Sequence, residues 1–347
     1  MFDSYMLNIF FRRWCLFSVM VLLVTTATAA FSTAISEPAF TGEDAYNVDT
    51  HNVDQAQSKP VVLTSIRPLG LLAQEVVGDH GFVEVLLKGN GSPHHYALSV
   101  ADRELLLSAD TVLWIGPLLE QFLVRPLAQR DEGVITAMSL DGIEWPEVDD
   151  THDHTSSHHG HDHGDDQGNK DPHLWLNPLN NLAMIDALVA DLGKKFPAYQ
   201  AAYQDNGNAL KAKLVLLDQQ ILADTRLEDG SMSVAPFVVA HPAYQHFVAR
   251  YSLPQLGYVA LTPERRAGAK QLYRLRRLTE LRCIFVDYGW ENKGAVQLAR
   301  DVDIPLFTLN PLGVSEQREK GGVTSRETII QLLMQLSADF QRCKQSA

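Results

Sequence analysis

Cysteine is scarce, with three in 347 residues, and one of them, Cys15, falls in an apolar segment at the amino terminus. Cys283 and Cys343 remain. An even pair favours a disulfide in an oxidising compartment, with two buried thiols or a zinc pair as the alternatives. Long apolar runs are also lacking. The stretch Trp14–Val24 behind Arg12 and Arg13 has about a dozen residues, short of the ~20 that span a bilayer. Followed by Ala27-Thr28-Ala29, it reads as a leader cleaved near Ala29, so the mature chain is expected to be exported without a membrane anchor. Positive charge is in deficit, 29 Lys and Arg against 42 Asp and Glu for a net charge of -13. That balance excludes nucleic acid and anionic membrane as expected partners. No His-Glu-x-x-His helix, Gly-x-Ser-x-Gly elbow or phosphate-cradling glycine motif occurs, which argues against an exported zinc hydrolase and a nucleotide site.

What is present in excess is histidine in one place. Seven of the 13 histidines fall between Thr151 and His173. His152, His154, His158, His159, His161 and His163 are interleaved with aspartate and glycine, and no apolar residue interrupts Thr151 to Asp171. Without apolar surface to bury, the ordering entropy is not offset, so a solvated loop over 149–172 is expected. Neutral imidazoles beside carboxylates suit zinc, copper, nickel and cobalt, which makes the stretch an auxiliary metal collector.

The hydrophobic fraction of 46% supplies two ordinary cores. After the leader (1–29) and a polar lead (30–59), short apolar runs alternate with helical patterns, predicting an α/β chain. Strands are expected at Val61–Ile66, Phe82–Leu87 and Thr111–Ile115, then at Phe237–Ala240, Leu256–Val259, Cys283–Val286 and Pro305–Thr308, with helices between them. Residues 178–227 read as helical throughout, broken near Pro197. The expected organisation is therefore an N-terminal lobe (60–177), linking helices (178–227) and a C-terminal lobe (228–347). Two parallel sheets would be joined by a long rigid helix, with ligand in the cleft between lobes at the carboxyl ends of the strands. Such a helix resists hinge bending, so only modest lobe closure is expected.

Four candidate ligands fall in loops of that kind. His94 lies in the turn after the Phe82 strand, His173 at the exit of the histidine-rich loop, His241 directly after Phe237–Ala240, and Asp287 at the end of the Cys283 strand. Three imidazoles and a carboxylate make a closed tetrahedral zinc set. His246, on the helix after His241, reads as a packing or surface residue.

The segments SPHHYAL (92–98), LWIGPLLEQF (113–122), HLWLNP (173–178), AHPAYQHF (240–247), CIFVDYGW (283–290) and LNPLG (309–313) resemble, in order, the periplasmic zinc-binding receptors of ABC uptake transporters, the ZnuA type. The resemblance implies His94, His173 and His241 as zinc ligands, with Asp287 or water completing the shell. Pro93 stands where some members carry an acidic residue, and His95, where an aspartate is common, reads as a neighbour of the site rather than a ligand. The resemblance also implies a Cys283–Cys343 disulfide, zinc as transported cargo, a membrane permease with a separate ATPase subunit as partner, a monomer, and no catalysis. Manganese-selective relatives and adhesin-type proteins resemble the chain too. A third imidazole at His241 moves the preference toward zinc.

Overall fold

The computed structural model describes residues 59–89, 91–147, 170–262, 266–290, 292–314 and 327–344. The leader, the polar lead up to residue 58 and the loop histidines His152, His154, His158, His159, His161 and His163 lie outside the described residues. The chain runs β1 (Val61–Thr64), α1 (Arg67–Val77), β2 (Phe82–Val85), α2 (Val100–Ser108), β3 (Thr111–Trp114), α3 (Val124–Leu127) and β4 (Val134–Thr136). Two long helices follow, α4 (Asn180–Lys195) and α5 (Gln200–Asp224). The second half runs β5 (Phe237–Val239), α6 (Gln245–Tyr251), β6 (Gln255–Tyr258), α7 (Ala269–Leu275), β7 (Cys283–Asp287), α8 (Lys293–Val302), β8 (Leu306–Leu309) and α9 (Ile329–Phe340).

The strands form two four-stranded sheets, ordered β2-β1-β3-β4 and β6-β5-β7-β8, with every pair parallel. Both halves thus repeat one pattern, in which the first and third strands are central neighbours. In open α/β sheets that junction is where the chain reverses direction across the sheet and opens a crevice. The first two strands end sooner than the apolar runs that announced them: Ile66, Leu86 and Leu87 are buried outside β1 and β2, although Leu86 N and Leu87 N still donate to Thr64 O (2.8 Å) and Ser65 O (3.0 Å). Strand β4 was not expected from the sequence, since three residues, VIT, carry too little periodicity to register.

Side-chain alternation sorts the second sheet into two faces. Phe237, Val239, Cys283 and Phe285 join the main core, while Val238, Ala240, Ile284 and Val286 pack with α7 and α8 in a smaller cluster. The main core is continuous from Val62 and Leu113 through Leu188 and Leu214 to Phe247 and Phe340. Helix α5 stitches it together. Near its start, Tyr203 donates to His80 O (2.9 Å) and Asn206 to Val76 O (3.1 Å). Near its end, buried Asp218 accepts from Arg250 Nε (2.8 Å) and from Tyr251 (3.1 Å) on α6. Cys283 and Cys343 form a disulfide with a Cα separation of 5.9 Å, tying β7 to the residues after α9. Among the described residues, no helix is long and apolar enough to cross a membrane.

Candidate metal centre

Three loops converge where the two sheets present their strand ends. After β2 the chain passes through a turn in which the backbone N–H of His94 donates to Ser92 Oγ and that of His95 to Ser92 O, both at 3.3 Å. Ser92 is buried there, so a short side chain sets the position of His94. His173 begins the buried turn Leu174–Leu176, which is pinned by side-chain amides. Asn181 Nδ2 donates to Trp175 O (2.9 Å) and Asn177 O (3.0 Å), and Asn180 Oδ1 accepts from Glu144 N (2.7 Å). His241 leaves β5 directly, at the junction with β7 in the second sheet.

The ligating atoms of His94, His173 and His241 all lie within 4.8 Å of one another, and their rings sit 5.6, 5.7 and 6.4 Å apart between centroids. Tetrahedral zinc bonded to nitrogen at 2.0–2.1 Å separates its ligand atoms by about 3.3 Å. Small side-chain rotations therefore bring the three nitrogens into one shell. His173 and His241 are each 5% exposed. The cavity beside them, about 30 Å³, is walled by Pro93, Trp175, Tyr288, Trp290, Pro311 and Leu312. That space suits an ion with a water, and it is far below the hundreds of Å³ an organic ligand fills.

Both buried imidazoles are oriented by carboxylates. His173 Nδ1 lies 2.5 Å from Asp171 Oδ1 and His241 Nδ1 lies 2.6 Å from Asp287 Oδ2. A carboxylate accepts, so the proton sits on Nδ1 and the lone pair on Nε2 in each ring, the arrangement ligating histidines commonly use. Burial raises the Asp171 carboxyl, but its electrostatic attraction to the His173 ring and the hydrogen bonds from His173 outweigh it and leave the group below the usual range. Asp287 Oδ1 accepts from Tyr244 Oη; burial and the Asp287 charge push that phenol well above its ordinary value.

His94, His173 and His241 come together, and Asp287 lines the same cavity, its oxygens on His241 Nδ1 and Tyr244 Oη, without being one of the three clustered groups. His95 is exposed and contributes no atom to the cluster. His246 is buried, accepting at Nδ1 from Asn180 (3.2 Å) and donating from Nε2 to Asp171 O (2.9 Å), and burial pushes it below the ordinary imidazole range. Sequence reasoning missed Asp171, which was counted with the acidic loop. Its place two residues before a candidate ligand, D-P-H, was the available signal.

The first sheet's equivalent junction, between β1 and β3, holds no imidazole. Glu120 fills it, fully buried, accepting from Ser65 Oγ (2.6 Å) and Gly116 N (2.9 Å). Burial raises its carboxyl to about 7 against those donors.

Comparison with known proteins gives the family. The family model described as ZnuA, zinc-uptake complex component A periplasmic, matches residues 62–343. The chain is 30% identical over 299 residues to the high-affinity zinc uptake system protein ZnuA of Yersinia pestis, covering 81% of this chain and 90% of that one. Among solved structures, a crystal structure of ZnuA superposes with a TM-score of 0.66 at 21% identity over 82% of this chain and 99% of that one. The Zn(II)-bound ZnuA-like domain of Streptococcus pneumoniae AdcA gives 0.62 at 20% identity over 83% and 100%. At those identities the two structures speak for the fold.

Proposed function

The chain belongs to the family of periplasmic zinc-uptake components of the ZnuA type, and from that premise we propose that it captures Zn²⁺ outside the cytoplasm and delivers it to an ABC permease. The observation that carries the reading is the convergence of three imidazoles within 4.8 Å. Three borderline nitrogen donors favour zinc over manganese, whose sites are richer in oxygen. In this reading His94, His173 and His241 bind the ion, water takes the fourth position, and Asp287 supports His241. The leader is cleaved near Ala29, the N-terminal lobe comprises 60–177, the linking helices 178–227 and the C-terminal lobe 228–347. The mature receptor is a monomer that uses no catalysis of its own, with the ATPase on a separate subunit. The loop histidines from His152 to His163 gather metal.

Zinc titration calorimetry with metal analysis tests this on three proteins: the mature chain, a variant lacking Asp149 to Lys170, and a His94→Ala, His241→Ala double variant. The loop-deleted protein is expected to retain one tight site and the double variant to lose it. Loss of all tight binding with the loop would move the function there, to storage or sensing. A cleft that prefers Mn²⁺ over Zn²⁺ would reverse the choice of cargo.

A further inference from the structure

We propose that Asp171, which does not belong to the ligand cluster, is the positioning residue that makes His173 a zinc ligand and ties it to the opposite lobe. The inference rests on the zinc-receptor reading. Three N–H groups converge on this one carboxylate. Oδ1 accepts from His173 N (3.0 Å) and faces His173 Nδ1 (2.5 Å), while Oδ2 accepts from Gln245 N at the start of α6 (2.9 Å). The Asp171 carbonyl meets His246 Nε2, also on α6. Asp171 is therefore a joint: one oxygen sets the ring of a ligand, and the other grips the helix that follows His241 in the C-terminal lobe. It is also next but one to the 149–169 segment, with Lys170 between them. Asp287 holds His241 from behind in a comparable way, but it sits in the same lobe as the histidine it orients. The geometry gives Asp171 alone of the two an attachment to both sides of the cleft.

The chemistry follows from donor counting. A carboxylate offers acceptors in both directions; an amide of the same shape offers one acceptor and one NH₂. With Asn at 171, an oxygen turned toward His173 leaves Gln245 N facing an NH₂, whereas an oxygen turned toward Gln245 leaves the NH₂ facing both His173 N and His173 Nδ1. In the second orientation the backbone N–H loses its acceptor and the ring meets the NH₂ only with its proton moved to Nε2, and a protonated Nε2 has no lone pair for the metal. Orientation survives while the tautomer is wrong, a substitution effect known to disable buried histidines. Losing such a partner typically weakens metal binding 10–100-fold.

The test combines ¹⁵N spectra of the metal-free histidine side chains with zinc affinity from chelator competition on the full mature chain, for wild type, Asp171→Asn and Asp171→Glu. Wild type is expected to show His173 as the Nδ1–H tautomer. Asp171→Asn should shift it toward Nε2–H and weaken zinc binding about 10–100-fold, while Asp171→Glu, which keeps the carboxylate, should retain Nδ1–H and lose less affinity. An Asn variant with the wild-type tautomer and zinc affinity within about twofold overturns the proposal. So does a Glu variant that loses zinc as fully as Asn, since that would mean the position serves packing alone. Should Asp171→Asn fail to fold, Asp171→Glu decides by its tautomer. The metal-free spectrum separates the two levels of inference: a wild-type cleft that binds no zinc sinks the receptor reading, whereas His173 with its proton on Nε2 in wild type sinks the role of Asp171.

Discussion

At the scale of single residues, this site separates ligands from the groups that prepare them. Removing one imidazole from a three-nitrogen shell leaves two donors, so His173→Ala is expected to weaken zinc binding by more than 100-fold in competition titrations, beyond the 10–100-fold typical of a supporting group. Asp287→Asn should fall within that smaller range, because it disturbs the His241 tautomer and leaves the ring in place. If Asp287 were itself a ligand, its loss would match that of His173, and the two titrations compared decide the matter. Ligation needs neutral imidazole, so zinc competes with protons and affinity should fall as the solution is made acidic. The three candidate ligands were legible from residue type and loop position. Their supports were not, because Asp171 and Asp287 look alike in sequence whether they touch metal, imidazole or solvent.

At the scale of elements, the two sheets solve the same crevice differently. The second opens its central junction to a histidine. The first closes it with Glu120, whose carboxyl is raised from 4.5 to about 7 by burial. A raised folded-state value means that the neutral acid is preferred in the native state. Its contribution to stability is therefore full below about 4.5, and is lost as pH rises through about 7. A shift of that size corresponds to about 3 kcal/mol. Thermal melts of the metal-free protein should decline across that window, and Glu120→Gln should flatten the decline. The α4–α5 contact makes a second prediction. A Cβ on Gly207 would lie 2.8 Å from Val189 Cγ2 and 3.2 Å from Ile185 Cγ2, so the helices approach through this glycine. Gly207→Ala should lower the melting temperature despite alanine's better helix propensity. The helical run and its break at Pro197 were readable from sequence, but the closeness of the two helices depends on which faces meet.

At the scale of the whole molecule, a continuous core and one 25-residue helix, about 37 Å long, join both lobes. Scattering profiles with and without zinc are expected to be similar, and a large compaction on binding would contradict so continuous a core. The Cys283–Cys343 disulfide closes a loop of 60 residues, which stabilises by about 4 kcal/mol in the chain-entropy picture. Reduction should lower the urea midpoint substantially. It should leave zinc affinity nearly intact in the protein that remains folded, because Asp287 lies at the other end of β7 from Cys283.

The sequence by itself determined the chemistry available to this protein. Apolar runs separated by helical patterns require parallel βα layers, and a polar, histidine-dense segment has no apolar surface with which to enter a core. Imidazoles at strand ends, a surplus of acid and a cysteine pair limit the partners to a short list. Only the tertiary structure decided which of those groups act together. His94, His173 and His241 are far apart along the chain, and their meeting depends on two sheets packing with the same ends facing one cleft. A carboxylate whose oxygens are taken up by imidazole, phenol and backbone N–H groups is held behind the ring it orients, and a linear sequence carries no record of direction.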